Sequence, residues 1–330
     1  MEIDPIKQAK PMTGSPHRPR VALETLGCKL NQAETERLAR QLAGAGCELV
    51  APDAGADIYL LNTCTVTGTA DAKSRHLLRL ARRRHPRARL IATGCYAQRA
   101  PGELAAIEGV GLVVGNADKP HLLRLLEANG WLDGPSAPAD GAGRRNRAMV
   151  RVQDGCTRYC TYCIVPLVRG AEASLPPDEV LAEVKERLAE GAREVVLTGT
   201  EIGAYQHEGL DLKGLLERIL AETGVVRLRL SSLQPGEITT GLLGLWDDGR
   251  LCRHFHLSLQ SGSDGVLGRM QRSYTAGDYR RAVAFIGSRL SEVAVTTDVI
   301  VGFPGETAAE FEESFDFCRQ TGFARIHVFP

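Results

Sequence analysis

The chain has 330 residues, 43% hydrophobic and 24% charged, with 40 basic side chains against 40 acidic ones and a formal net charge of zero. This length and apolar content support one large or two ordinary domains, so no disulfide or metal is needed merely to hold the fold. No long apolar run can span a membrane, no secretory signal opens the chain, and the balanced charge argues against nucleic-acid binding by bulk charge alone. A cytoplasmic protein is expected, and there its nine cysteines point to metal binding or catalysis rather than to disulfides.

Residues 1–19, rich in proline and basic side chains, read as a disordered tail. Apolar runs and periodicity then predict strands at 20–27, 57–62, 89–94 and 110–116, and helices at 32–45, 73–84 and 121–129. That alternation predicts a parallel α/β domain over 20–133. Lys73 to Arg89 contains no acidic residue, so Arg82 and Arg83 either line a solvated helix face or meet phosphate. Residues 134–147 (GPSAPADGAGRRNR) lack periodicity and read as a linker. Beyond it, strands at 148–154, 194–199, 226–232, 254–260, 293–302 and 324–330 alternate with helices at 178–190, 212–220, 238–246, 279–290 and 308–320. Six repeats are too few for a closed eight-fold barrel, so an open partial (βα)6 barrel over 148–330 is expected, with functional loops at the strands' C-terminal ends.

The first barrel strand runs directly into Cys156, Cys160 and Cys163, spaced CxxxCxxC. Three thiolates suit an iron–sulfur cluster or zinc. Structural zinc wants four ligands, and no fourth Cys or His follows at zinc-finger spacing. A cubane has four irons, so three cysteines leave one iron open. With Tyr162 just before the last cysteine, this loop resembles the radical S-adenosylmethionine superfamily. The resemblance implies a [4Fe–4S] cluster whose open iron is chelated by S-adenosylmethionine, and an electron donor such as a flavodoxin or ferredoxin. It implies a 5′-deoxyadenosyl radical as the product of cofactor cleavage. Gly199, Thr200 and Glu201 stand where the superfamily has a GGE-type motif, with one glycine replaced. Together with Tyr162, Gln260, Ser261 and Gly302 they are the expected cofactor contacts, although such strand ends also serve as plain loop punctuation. No GxxxxGK[ST] motif is present, which argues against a nucleotide triphosphatase.

Cys28, Cys64 and Cys95 each follow a predicted strand. In a parallel sheet the C-terminal strand ends lie along one edge, so these thiols either converge on a second cluster or are unrelated core cysteines. Their surroundings (TLGCKLNQAETE, LLNTCTVTG, IATGCYAQR, with VVGN at 113–116) resemble the N-terminal domain of the methylthiotransferases, and the likeness extends over 20–330. The resemblance implies that Cys28, Cys64 and Cys95 hold a second [4Fe–4S] cluster that carries or supplies sulfur. One S-adenosylmethionine would donate the methyl group and another would yield the radical. GCKLNQAETE, RLSSLQPGEIT and HLSLQSGSDGVLGRMQRSYT look most like the branch acting on threonylcarbamoyladenosine of tRNA. The branches acting on isopentenyladenosine tRNA or on a ribosomal-protein aspartate, and a different radical enzyme with the same barrel, are the alternatives. A monomer that binds the tRNA anticodon loop is expected. Family members usually continue past the barrel into a β-barrel RNA-binding domain, which this chain is expected to lack. RNA affinity would then rest on Arg82, Arg83, Arg144–Arg147 and Arg169. Cys47, Cys252 and Cys318 read as core or incidental.

Overall fold

Five short parallel strands open the computed structural model, which describes residues 18–132 and 146–330. Apart from their last residues, the expected tail and linker lie outside that range. The strands are β1 (Arg20–Thr25), β2 (Glu48–Val50), β3 (Ile58–Thr63), β4 (Arg89–Gly94) and β5 (Val110–Val114), in the order β2-β1-β3-β4-β5. Between them run α1 (Lys29–Gly44), α2 (Gly68–Arg84), α3 (Cys95–Arg99) and α4 (Pro101–Ala105), and α5 (Leu122–Ala128) follows. β3 is buried along its whole length, as its unbroken apolar run requires in a sheet covered on both faces. One face packs Tyr59, Leu61 and Leu90 against Leu78 and Leu104; the other packs Ile58, Leu60 and Ile91 against Leu38, Leu42 and Leu126. The strand order reverses at β1 and β3, the switch point where open α/β sheets place their sites.

The chain divides into two compact units. One takes the described residues of 1–26, 37–63 and 71–142. The other takes 27–36 and 64–70, the segments that follow β1 and β3, together with the described residues of 143–330.

From residue 146 on, the second unit runs through β6 (Arg147–Arg151), β7 (Gln153–Asp154), α6 (Val165–Arg169), β8 (Ala173–Ser174), α7 (Pro177–Ala189) and β9 (Glu194–Thr198). A small hairpin of β10 (Gln206–His207) and β11 (Leu210–Asp211) leads to α8 (Leu212–Glu222), β12 (Leu228–Leu230), β13 (Ser232–Leu233) and α9 (Thr240–Leu243). β14 (His254–Leu257), α10 (Asp264–Arg269), α11 (Ala276–Arg289), β15 (Ala294–Ile300), α12 (Ala308–Thr321) and β16 (Arg325–Phe329) complete it. Parallel ladders run β6-β9-β12 and β13-β14-β15-β16. β12 and β13 are one strand interrupted at Ser231, so six strands follow one another in sequence order. β6 and β16 share no ladder among the described residues, which leaves the barrel open as expected. Val150, Val195, Leu197, Leu230, Phe255, Leu257 and Val295 point out to the helices and form the main core.

Candidate active site

The cysteine loop is clamped at its base. β7 and β8 pair antiparallel on either side of it, and Cys156 N donates to Gly170 O at 3.1 Å. Gly155 has φ +73°, and a Cβ there would lie 1.9 Å from Ala171 O, so only glycine fits the turn into Cys156. Buried Gln153 donates to Asp154 O and Gly155 O, and its Oε1 accepts from Glu201 N at 2.8 Å. One side chain thus ties the loop to the end of β9. Gly199 permits this approach, since a Cβ there would stand 2.7 Å from Gln153 O. At its far end the loop is fastened to α10, where Thr161 N donates to Met270 O and Thr161 Oγ1 to Arg269 O.

Cys156, Cys160 and Cys163 are free thiols, each half-buried. Burial pushes Cys156 up to about 12, with Glu201, 3.3 Å from its Sγ, adding to the rise. Burial likewise raises Cys163. Two guanidiniums face these thiols. Arg272 donates to Cys160 Sγ at 3.2 Å, bonds Gln234, and stacks 4.8 Å over the Tyr274 ring. Arg158 bonds Glu201 and reaches Ser273 Oγ at 2.9 Å and Glu237 Oε1 at 3.5 Å. Glu237 is pushed up to about 7, first by burial and then by the neighbouring Glu201. Gly203 makes room for it, because a Cβ there would fall 1.9 Å from Glu237 Oε2. A groove lined by Arg158, Gln234, Glu237, Ser273 and Tyr274 lies alongside.

Three unpaired thiols on one loop, with cationic donors beside them and no fourth Cys or His in the loop, fit a [4Fe–4S] cluster with one open iron. The raised thiol of Cys156 means that loading iron must release protons. Glu201 and Glu237 offer carboxylates of the kind an amino group needs beside that iron.

Other expected contacts fall elsewhere. Tyr162 sits on the loop rim, edge-on to Phe303 of the GFPGE turn at 6.4 Å between ring centroids. Gly302 has φ +70°, and its N–H is taken by Glu306 Oε2. Gln260 holds a left-handed φ of +71° and pairs through its backbone with β15. Ser261 is fully buried, and its hydroxyl accepts from Ser263 N inside the turn into α10. The Thr200 hydroxyl is engaged with Asp154 at 3.2 Å. The Arg169 side chain is 2% exposed, held by Asp154 at 2.8 Å, Glu34 at 2.9 Å and Asn31 at 2.6 Å. On α2, Arg83 is exposed, while Arg82 bonds Pro86 O and lies 3.6 Å from Glu108. The basic run therefore meets acidic residues that local sequence does not reveal. Gln153, Asp154, Arg158, Glu237 and Arg272 escaped the sequence reading. Only Arg158, lying between two of the cysteines, had a local signal.

In the first sheet, Cys28, Cys64 and Cys95 follow β1, β3 and β4, three neighbouring strands. Cys64 and Cys95 are buried and Cys28 is exposed. Gly27 (φ +99°) would place a Cβ 2.8 Å from Cys64 Sγ, and Gly94 (φ +99°) would place one 2.5 Å from Thr63 O. The glycine before each outer cysteine is thus forced by close approach to the end of β3. Asn116 of the VVGN segment donates to Cys95 Sγ at 3.6 Å.

The radical SAM superfamily model matches residues 150–318, and the model of the uncharacterized protein family UPF0004 matches 20–115. The chain is 38% identical to the threonylcarbamoyladenosine tRNA methylthiotransferase MtaB of Bacillus subtilis, over 94% of this chain and 73% of that protein. It is equally identical to the MtaB of Aquifex aeolicus, covering 80% of it. A tRNA-2-methylthio-N(6)-dimethylallyladenosine synthase of Anaeromyxobacter dehalogenans is 35% identical, over 97% of this chain and 72% of that protein. Among solved structures, the radical S-adenosylmethionine methyltransferase TsrM of Kitasatospora setae shares the fold at a TM-score of 0.68 and 15% identity, over 94% of this chain and 72% of that one. With more than a third of its residues in common with such enzymes over nearly its whole length, the chain belongs to the radical S-adenosylmethionine methylthiotransferases, enzymes that use [4Fe–4S] and S-adenosylmethionine to transfer a methylthio group.

Proposed function

We propose that this enzyme places a methylthio group on carbon 2 of threonylcarbamoyladenosine at position 37 of tRNA. In this reading Cys156, Cys160 and Cys163 hold one [4Fe–4S] cluster, and Cys28, Cys64 and Cys95 hold a second. When bound, the first cluster supplies the one-electron cleavage of S-adenosylmethionine and the second is a source of sulfur.

The chain's own residues prepare that chemistry. Gln153 and Gly155 fix the cysteine loop relative to Glu201. Glu201 and Glu237 bind the cofactor's amino group, and Arg158 holds the two carboxylates together. Arg272 offsets thiolate charge at Cys160. Tyr162 and Phe303, edge-on to each other at the loop rim, would offer apolar contact to the cofactor's adenine. The observation that carries the reading is the loop of three free thiols with no fourth ligand, beside buried Glu201. The choice of recipient is supported by the MtaB relatives, two of which are 38% identical to this chain, against 35% for the dimethylallyl enzyme.

The test is anaerobic turnover with S-adenosylmethionine, a one-electron donor such as a flavodoxin or ferredoxin, and anticodon stem-loops bearing either modified adenosine. Mass spectrometry should find the methylthio product on the threonylcarbamoyl RNA. Cys156→Ala should abolish both this product and 5′-deoxyadenosine. Thiolation of the dimethylallyl RNA alone would transfer the enzyme to the sister branch.

A further inference from the structure

The interior of the barrel is rich in charged residues. Alternate residues of a strand share a face. Since Val150, Val195, Leu230, Phe255 and Val295 point out to the helices, Arg147, Glu194, Arg229, His254, His256, Thr296 and Asp298 point inward. Around Glu194 cations outnumber carboxylates. Glu194 is shared by Arg229 at 2.7 Å, Arg147 at 2.9 Å and Arg227 at 3.1 Å. Asp298 spends one oxygen on His256 and the other on His327, each at 3.1 Å. Burial and the nearby Arg229 hold His254 low, at about 4, so it is neutral.

Lys29 enters this interior from α1. It lies one turn before Ala33 on the same helix face, and Ala33 packs on Met149 and Val196, the inward residues of β6 and β9. Its ammonium lies in the field of Arg229, Arg147 and Asp298. The residue is reachable by solvent, as a side chain lining an open lumen would be. Lys29 forms no ion pair among the described residues. Ser231, at the break between β12 and β13, faces inward with Arg229; it is 4% exposed and its Oγ has no hydrogen-bond partner. An interior with surplus cations and an orphaned buried hydroxyl is built for an anionic ligand that also bears hydrogen-bonding groups.

We propose that Lys29 is a specificity-determining residue that binds the carboxylate of the threonylcarbamoyl substituent, with the Ser231 hydroxyl as a second contact. This rests on the reading of the recipient given above. The two candidate recipients differ in charge at this point: the threonylcarbamoyl group ends in a carboxylate, and the dimethylallyl group is a neutral hydrocarbon. Lys29 is also adjacent to Cys28, so its backbone starts at the sulfur-supplying end while its ammonium reaches inward. Carbon 2 and the N6 substituent lie on the same edge of adenine, either side of N1, so a residue next to Cys28 is placed to meet that substituent when carbon 2 faces the sulfur-supplying end. A backbone phosphate of the RNA is the other source of the same charge, and the experiment separates the two.

The full-length reconstituted protein is assayed with stem-loops bearing threonylcarbamoyladenosine, its carboxyl methyl ester, or dimethylallyladenosine. Equilibrium binding and the KM-against-kcat split are both read. The wild type should prefer the acid over the ester by about tenfold, the worth of one charge-assisted hydrogen bond. Lys29→Gln should bring the acid down to the level of the ester through KM, and Lys29→Arg should retain part of the preference. Ser231→Ala, far in sequence from any cysteine, should lower the preference with full iron content. An undiminished acid preference in Lys29→Gln overturns the proposal. Equal weakening toward all three RNAs overturns it in favour of a phosphate. A wild-type enzyme that thiolates only the dimethylallyl RNA removes the recipient reading first, and this inference with it.

Discussion

At the scale of single residues, identity was easier to read than partnership. Cys156, Cys160 and Cys163 announce themselves by spacing, because all three lie on one short loop. Arg169 follows that loop directly and looks equally ready for phosphate or carboxylate. What decides is Glu34, more than a hundred positions away, and burial that only the fold creates. Glu237 is invisible for the same reason, and its chemistry is testable. Burial and Glu201 raise it to about 7, so its protonated form is stabilised by folding. The stability this gives is present below the ordinary carboxyl range and is lost as pH rises through about 7. A bound amino group reverses the sign for binding, since a cation prefers Glu237 ionised. S-adenosylmethionine affinity should therefore strengthen from about pH 6 to about pH 8 in the wild type relative to Glu237→Gln. Calorimetric titration at several pH values would show it; parallel profiles for the two proteins would remove Glu237 from the cofactor site.

Elements were legible when they were long. The helices expected at 178–190, 212–220, 279–290 and 308–320 appear as α7, α8, α11 and α12 with ends shifted by a few residues. α11 starts at Ala276 rather than at 279 because Thr275 caps it, its hydroxyl accepting from Asp278 N, and α12 starts where expected. α12 opens on Thr307, whose hydroxyl accepts from Glu310 N while the Glu310 carboxylate accepts from Thr307 N. α1 starts at Lys29 rather than at 32, which is what brings Lys29 into the helix. α3, α4 and α10 were missed because five or six residues show no period. The helix expected at 238–246 shrinks to α9 followed by a 3-10 turn at Gly244–Asp247, where Gly241 and Gly244 weaken continued helix. The Thr307 cap carries a prediction at this scale. Thr307→Ala removes the acceptor for Glu310 N and loosens the carboxylate that also binds Arg269 at 2.9 Å. A loss of ~1 kcal/mol is expected in a denaturant titration of the anaerobic protein. A change within error would mean that the Arg269–Glu310 pair alone fixes the start of α12.

For the whole molecule, strand–helix alternation that resumes after a stretch without periodicity leads to the expectation of a boundary at 134–147. The two compact units divide the chain along other lines. Segments 27–36 and 64–70, which follow strands of the first sheet and include Cys28 and Cys64, group with the second unit. Sequence order cannot show this, because the grouping follows contacts rather than chain continuity. It does bear on how the two cysteine sets divide the work. If Cys156, Cys160 and Cys163 suffice to hold the cluster that splits the cofactor, the other three should be dispensable for that step and indispensable for delivering sulfur. A Cys28→Ala/Cys64→Ala/Cys95→Ala variant should then drop from about eight irons per chain to about four. It should still form 5′-deoxyadenosine under reducing conditions and yield no methylthio product on RNA. Buried Cys64 and Cys95 tolerate alanine sterically, so near-ultraviolet circular dichroism should stay native and separate loss of sulfur delivery from misfolding. Thiolated RNA from this variant would show that sulfur reaches the substrate by another route. An iron content that stays near eight would show that the second cluster, if present, is held by other residues.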